Sequence, residues 1–129
     1  MKDVRTIHEK SMTIADEGYR LKGIGKISES KECFLKAFKL EKQAADLVPN
    51  SIGNEPSRSI LYKGAAWLAL NAGLFREAEI MASQGLIGTP TYEIAQELKG
   101  IIEQANFEAH LSYGSGDLMF DEVKVKYMY

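Results

Sequence analysis

Small and apolar side chains recur at steps of three and four along most of this chain, and two glycine-centred breaks, at Gly23-Ile24-Gly25 and at Gly73, interrupt the pattern. Such a period lays one stripe along a helix, so the chain is committed to paired helices that bury their stripes against one another. Val4, Ile7, Ser11, Ile14, Ala15, Gly18 and Leu21 mark a first helix. Ile27, Ser30, Phe34, Ala37, Phe38, Ala44, Ala45 and Val48 mark a second, which Pro49 ends because the residue before a proline is driven out of the helical region.

Residues 49–56 hold two prolines, a glycine and two asparagines and read as a surface loop, after which Ser57 is placed to cap a third helix over residues 58–71. That helix carries Leu61, Tyr62, Ala65, Ala66, Leu68 and Ala69 inward. A fourth, from Phe75 to about Gly85, follows within a few residues, so the two form an antiparallel hairpin. Gly88 closes it. Thr89 with Pro90 gives a start signal for a fifth helix bearing Ile94, Ala95, Leu98, Ile101, Ile102 and Ala105. Beyond Phe107 the period changes: Gly114-Ser115-Gly116-Asp117 reads as a turn, and Val123, Val125, Tyr127 and Tyr129 alternate with polar residues and Met128 as a strand does.

A chain of 129 residues is the size of one domain and can bury a core without metals or disulfides. Apolar residues at 45% and charged residues at 26% give the balance of a globular chain. The formal net charge is −2 with the two signs interspersed, which gives no nucleic-acid footprint. Charges appear at once after Met1, with no apolar stretch behind them and no segment long enough to span a bilayer, so neither a secretory leader nor a membrane partner is expected. The single Cys33 has no disulfide partner and fits a reducing compartment, the cytoplasm.

Laying one break on the other aligns the segment from Gly25 to Ser30 with that from Gly73 to Ala78, and Phe34, Ala37 and Phe38 with Ala82, Gly85 and Leu86. The second hairpin, through Tyr62, Ala65, Ala66, Ala69, Gly73, Phe75, Ala78, Ala82, Gly85, Leu86 and Pro90, resembles the tetratricopeptide repeat family, whose unit of ~34 residues is a helix-turn-helix. The first hairpin matches through Ile14, Gly18, Leu21, Ile27, Ser30, Phe34 and Ala37, with a second helix that overruns the family's spacing. The fifth helix looks like the solvating helix that closes such arrays. A looser likeness is to uncharacterised bacterial chains in which such a hairpin leads to an acidic helix, an Asn106–Leu111 stretch and a strand. The expectation is an all-α fold of about five helices, arranged as antiparallel hairpins of a tetratricopeptide-like α-solenoid over residues 1–106, with a tail over 107–129 that carries a short β segment.

The resemblance implies a non-catalytic module that binds a protein or peptide on the face lined by the first helix of each hairpin. That register directs Tyr19, Lys22, Lys63, Trp67 and Asn71 toward a groove, where rings supply contact area and lysines attract carboxylates. The competing reading makes Trp67 core and the lysines solvated. The family's carboxylate clamp is incomplete, since only Lys63 stands in a matching position. Val123, Val125, Tyr127 and Tyr129 form a candidate assembly strand, whose open edge suits Met119-Phe120 across a short turn, the same strand of a second copy, or a partner, and makes a self-assembling subunit the first alternative. A small-molecule sensor, or an enzyme, with a pocket between the fifth helix and the tail around Trp67, Tyr92 and His110 is the second.

No catalytic constellation, cofactor motif or metal-ligand spacing is apparent. His8 and His110 lie far apart with no companion ligand, and Cys33 reads as a buried, inert thiol among Phe34 and Ala37. The run from Gly114 to Asp117 lacks the Lys-Ser or Lys-Thr pair of a phosphate loop. No enzyme is expected.

Overall fold

The computed structural model describes residues 3–114. Five helices follow one another: α1 Val4–Gly23, α2 Ile27–Asp46, α3 Ser57–Asn71, α4 Phe75–Leu86 and α5 Tyr92–Gly114, with a single 3₁₀ turn Ile52–Asn54 in the α2–α3 loop. The described residues contain no strand, so they are all-α as expected. The candidate strand residues Val123, Val125, Tyr127 and Tyr129, and the short β segment they would form, lie outside the described residues. Each helix packs against the next in sequence, and α3 also reaches α5.

The two glycine breaks fold alike. Gly25 and Gly73 adopt φ of 84° and 80°, a left-handed conformation open to glycine without steric cost. At the first turn Gly25 N donates to Lys22 O at 3.1 Å and Lys26 N to Leu21 O at 2.9 Å. At the second, Gly73 N donates to Leu70 O at 3.1 Å and Leu74 N to Ala69 O at 2.8 Å. Both are helix ends that satisfy their last carbonyls with the backbone of a left-handed exit. The alignment of the breaks in sequence is therefore an alignment of hydrogen-bonded turns.

Ala37, Ala65, Ala66, Ala69, Ala78 and Ala82 are wholly buried, so helix backbones approach closely along these stripes. In the first hairpin the space is filled by Phe34. A Cβ at Gly18 would stand 3.0–3.2 Å from three atoms of its ring, so the bare Cα of α1 is what admits the ring of α2. Tyr19 covers the outer side of that ring edge-on, with centroids 4.9 Å apart. In the second hairpin Tyr62 and Leu98 close on Gly85 instead.

Two helix starts, those of α3 and α5, depart from expectation, and α1 has a cap of its own. The Asp3 carboxylate caps α1, accepting from Arg5 N and Thr6 Oγ1, each at 3.1 Å. Ser57 does not cap α3; it is the first helical residue, and no side chain occupies the cap at Pro56. Glu55 takes the role from one residue further back, where Oε1 accepts from Ser59 N at 3.1 Å and Ser59 Oγ at 2.7 Å. Its Oε2 accepts from Thr89 N at 3.0 Å, which leaves Thr89 tied to this junction and moves the start of α5 to Tyr92. There Thr91 Oγ1 accepts from Ile94 N at 3.3 Å. Carboxylates and a later threonine thus replace the two hydroxyl caps read from sequence.

Glu55 is partly desolvated, which alone would raise its carboxyl pKa, but the hydrogen bonds from Ser59 and Thr89 and the nearby Arg58 charge outweigh this and lower it. A depressed carboxylate stabilises the fold above its unfolded value near 4.5, and that contribution is lost as pH falls through the folded value. Glu55→Ala should cost about 1–2 kcal/mol at neutral pH, as lost caps do. Ser57→Ala should stay within about 0.5 kcal/mol. Urea unfolding at neutral pH, and again below the carboxylate range where the Glu55 penalty should vanish, checks both.

The last helix exceeds its forecast. α5 runs without a break through residues 106 and 107 to Gly114. Glu108, Ala109, His110 and Leu111 include no helix breaker, and Ala109 and Ser112 face the turn at Gly73 to Glu77 across a shallow crevice. His110 Nδ1–H donates to Asn106 O at 2.8 Å, in line with the helix.

Candidate interaction groove

α1, α3 and α5 contribute side chains to one surface, and polar contacts bridge them in pairs. Lys22 Nζ of α1 donates to Asn71 Oδ1 of α3 at 3.2 Å, while Asn71 Nδ2 donates back along its own helix to Trp67 O at 2.9 Å. Lys63 of α3 pairs with Glu97 of α5 at 3.0 Å. Lys22 and Asn71 also line a recess of about 470 Å³. Its floor is apolar, from Ile27, Trp67, Leu70 and Phe75; its polar rim is Lys22, Lys31 and Asn71 on one side and Gln104 and Glu108 on the other.

Of the five groove residues read from sequence, the structure brings Lys22, Trp67 and Asn71 together in the recess wall. Tyr19 is half exposed and packs on Phe34, and Lys63 is held by Glu97; neither lines the recess. Trp67 is 38% exposed, so it is not core. The residues that sequence reasoning missed are Lys31, Phe75, Gln104 and Glu108. Lys31 sits on α2, a second helix of a hairpin, and its Nζ reaches the glycine turn at the recess, 3.9 Å from where a Cβ at Gly73 would be. Gln104 and Glu108 recur at a step of four on α5, a usable signal had the helix been extended past Phe107.

The lining carries two ammonium groups, Lys22 and Lys31, against one carboxylate, Glu108. Among the described residues neither lysine has a carboxylate within ion-pair distance. Such a rim favours a ligand with carboxylates, and the floor favours apolar side chains beside them.

Comparison with protein-family models, curated proteins and solved structures returns no match. The geometry of the chain itself is therefore what speaks for its function.

Two further polar groups are buried away from the recess. Glu41 of α2 is 1% exposed, and both its oxygens lie 2.9 Å from His8 Nδ1 of α1, which donates to them. Burial raises the Glu41 carboxyl pKa, with the His8 hydrogen bond and charge opposing. Gly64 of α3 leaves room for this carboxylate, since a Cβ there would stand 3.0 Å from Oε2. At the opposite edge Arg58 is buried over the Tyr62 ring, 4.8 Å from its centroid, and Nη2 donates to Gln84 O at 3.0 Å. Tyr62 Oη donates to Asp46 Oδ1 at 2.7 Å; burial, and then that bond, push the phenol up to about 12. These groups join helices, and nothing in their surroundings marks chemistry.

The described residues do not bring Tyr92 and His110 together with Trp67, and the rest of the tail that would complete that pocket lies outside them. Tyr92 and His110 stand toward opposite ends of α5, roughly 27 Å apart along its axis at the standard rise. Cys33 is half-buried, not buried, because its position on α2 lies beside the stripe that carries Phe34 and Ala37. Among the described residues no His, Cys, Asp or Glu cluster of three or more could hold a metal, and no helix is long and apolar enough to cross a membrane.

Proposed function

We propose that the chain is a non-catalytic, cytoplasmic interaction module of the tetratricopeptide type, whose helical hairpins form a short α-solenoid that holds a protein or peptide partner along the Trp67 groove. The observation that carries this reading is the recess itself: a partly exposed tryptophan on an apolar floor, with two lysines free of carboxylates among the described residues on its rim. Tryptophan in a half-enclosed site is the side chain that most often anchors a partner. The matched turns at Gly25 and Gly73 and the buried alanine contacts support the repeat architecture.

Affinity capture from cell lysate tests it. Trp67→Ala combined with Lys22→Ala should reduce recovery of specific partners by on the order of tenfold or more, the scale of a hot-spot loss. Lys63→Ala, whose ammonium is held by Glu97 outside the recess, should leave recovery close to that of the unaltered chain. Equal recovery by all three proteins would remove the groove from any account of function.

A further inference from the structure

The sequence just beyond the described residues has the chemistry that the groove lacks. Residues 117–122 read Asp-Leu-Met-Phe-Asp-Glu, three carboxylates flanking three apolar side chains. The recess offers Lys22 and Lys31 on its rim, with no carboxylate within ion-pair distance among the described residues, above a floor that includes Trp67 and Phe75. Opposite charge meets opposite charge, and apolar meets apolar.

Chain length permits the encounter within one molecule. α5 passes the recess at Gln104 and Glu108 and ends six residues later at Gly114, a rise of about 9 Å. Three extended residues recover about 10 Å, so residues 117–122 can reach back to the level of Glu108. Gly114-Ser115-Gly116 is a sequence that reverses direction readily. The path back is apolar as well: Phe107 and Leu111 lie on the same face of α5 as Gln104 and Glu108, and they are 61% and 51% exposed.

We propose that the Trp67 groove binds the chain's own residues 117–122, with Phe120 against the apolar floor and the carboxylates of Asp121 and Glu122 meeting Lys22 and Lys31. It rests on the reading of this groove as a binding surface and adds its occupant: the module carries an internal ligand that an external partner must displace. Binding of a partner is then a competition, and its apparent affinity falls by the fraction of molecules whose groove is free.

Trp67 is the only tryptophan in the sequence, so the full-length chain reports on its own groove. Fluorescence and acrylamide quenching would be compared for the unaltered chain, for Phe120→Ala with Asp121→Asn, and for Lys31→Glu. The expected result is a red shift and a rise in quenching in both variants. Restored protection should follow when Lys31→Glu is joined with Asp121→Lys. Unchanged far-ultraviolet circular dichroism is expected throughout.

Quenching that is the same in the Phe120/Asp121 variant as in the unaltered chain would overturn the inference. So would failure of the reversed pair to restore protection. Protection that disappears on dilution would also overturn it, by assigning the ligand to a second copy. The capture experiment fails or succeeds separately: partners lost with Trp67→Ala alongside unchanged quenching in the Phe120/Asp121 variant would leave the groove its function and remove only the internal ligand. Quenching that responds as expected alongside capture indifferent to Trp67 would do the reverse.

Discussion

Phe34→Ala is expected to lower the unfolding free energy by about 3–5 kcal/mol, the range for deleting a large aromatic from a packed interior. Phe34 is fully buried, and its ring occupies the notch that Gly18 leaves in α1, with Tyr19 closing over its edge. The backbone of α1 cannot collapse into the vacated volume without unwinding a helix, so the cavity persists and the cost stays near the upper part of that range. The reciprocal change is informative. Gly18→Ala places a Cβ 3.0 Å from the ring and should cost about 1–3 kcal/mol by overpacking, despite the better helix propensity of alanine. In the Phe34→Ala background the same Gly18→Ala change should become neutral or stabilising, because the clash is gone. Denaturant unfolding of the two single variants and the double variant gives the coupling; additive costs would mean that the notch and the ring do not depend on each other.

The second large effect lies in the His8–Glu41 pair. Removing one partner of a buried polar pair leaves the other unsatisfied at a cost of roughly 1–3 kcal/mol, more for a charged group, so with His8 partly exposed His8→Ala should cost about 2–3 kcal/mol at neutral pH. The sign of the pH dependence follows from Glu41. Its folded pKa is raised above 4.5, first by desolvation, so the native state favours the protonated acid. That preference is fully present below 4.5 and is lost as pH rises through the folded value, above which the buried charge is a cost. Without His8 nothing opposes the desolvation, and the raised value moves higher still. The His8→Ala variant should therefore gain stability as pH is lowered from neutral, and Glu41→Gln added to it should restore much of the loss at neutral pH while abolishing this gain. A double variant no more stable than His8→Ala alone would show that the charge on Glu41 is not what the histidine compensates.

Much of the fold is legible in the sequence wherever one residue type has one structural meaning. Glycine at 25 and 73 is such a case, since the left-handed exit needs it, and the inward stripes of α2, α3 and α4 follow from small residues at helical steps. Capping was not legible in the same way. A hydroxyl before a helix suggests a cap, but Glu55 outcompetes Ser57 because a carboxylate binds two donors at α3 and a third across the α4–α5 loop. Glu41 was missed altogether: a lone acid within a stripe reads as a solvated face, and only the spatial neighbours His8 and Gly64 reveal that it is inside. The groove was partly legible. Register placed Trp67, Lys22 and Asn71, whereas Lys31 comes from α2, a helix the register did not assign to the groove, and Gln104 and Glu108 depend on how far α5 extends.

The junction beneath Gly88 has a mechanical meaning. A Cβ at that position would collide with Arg58 Nη1 and Glu55 Oε2, so the loop after α4 lies directly on side chains that also hold the start of α3 and, through Gln84 O, the last turn of α4. The start of α3, the end of α4 and the approach to α5 are thereby fastened at one rivet, and α3, α4 and the head of α5 should deform as a single block. The pair α1–α2 is joined to that block at its seam with α3, through Tyr62–Asp46 from α2 and Lys22–Asn71 from α1 among its polar contacts. Under load, or in amide exchange, this seam is where the molecule should open first, widening the Trp67 recess by swinging its α1–α2 wall.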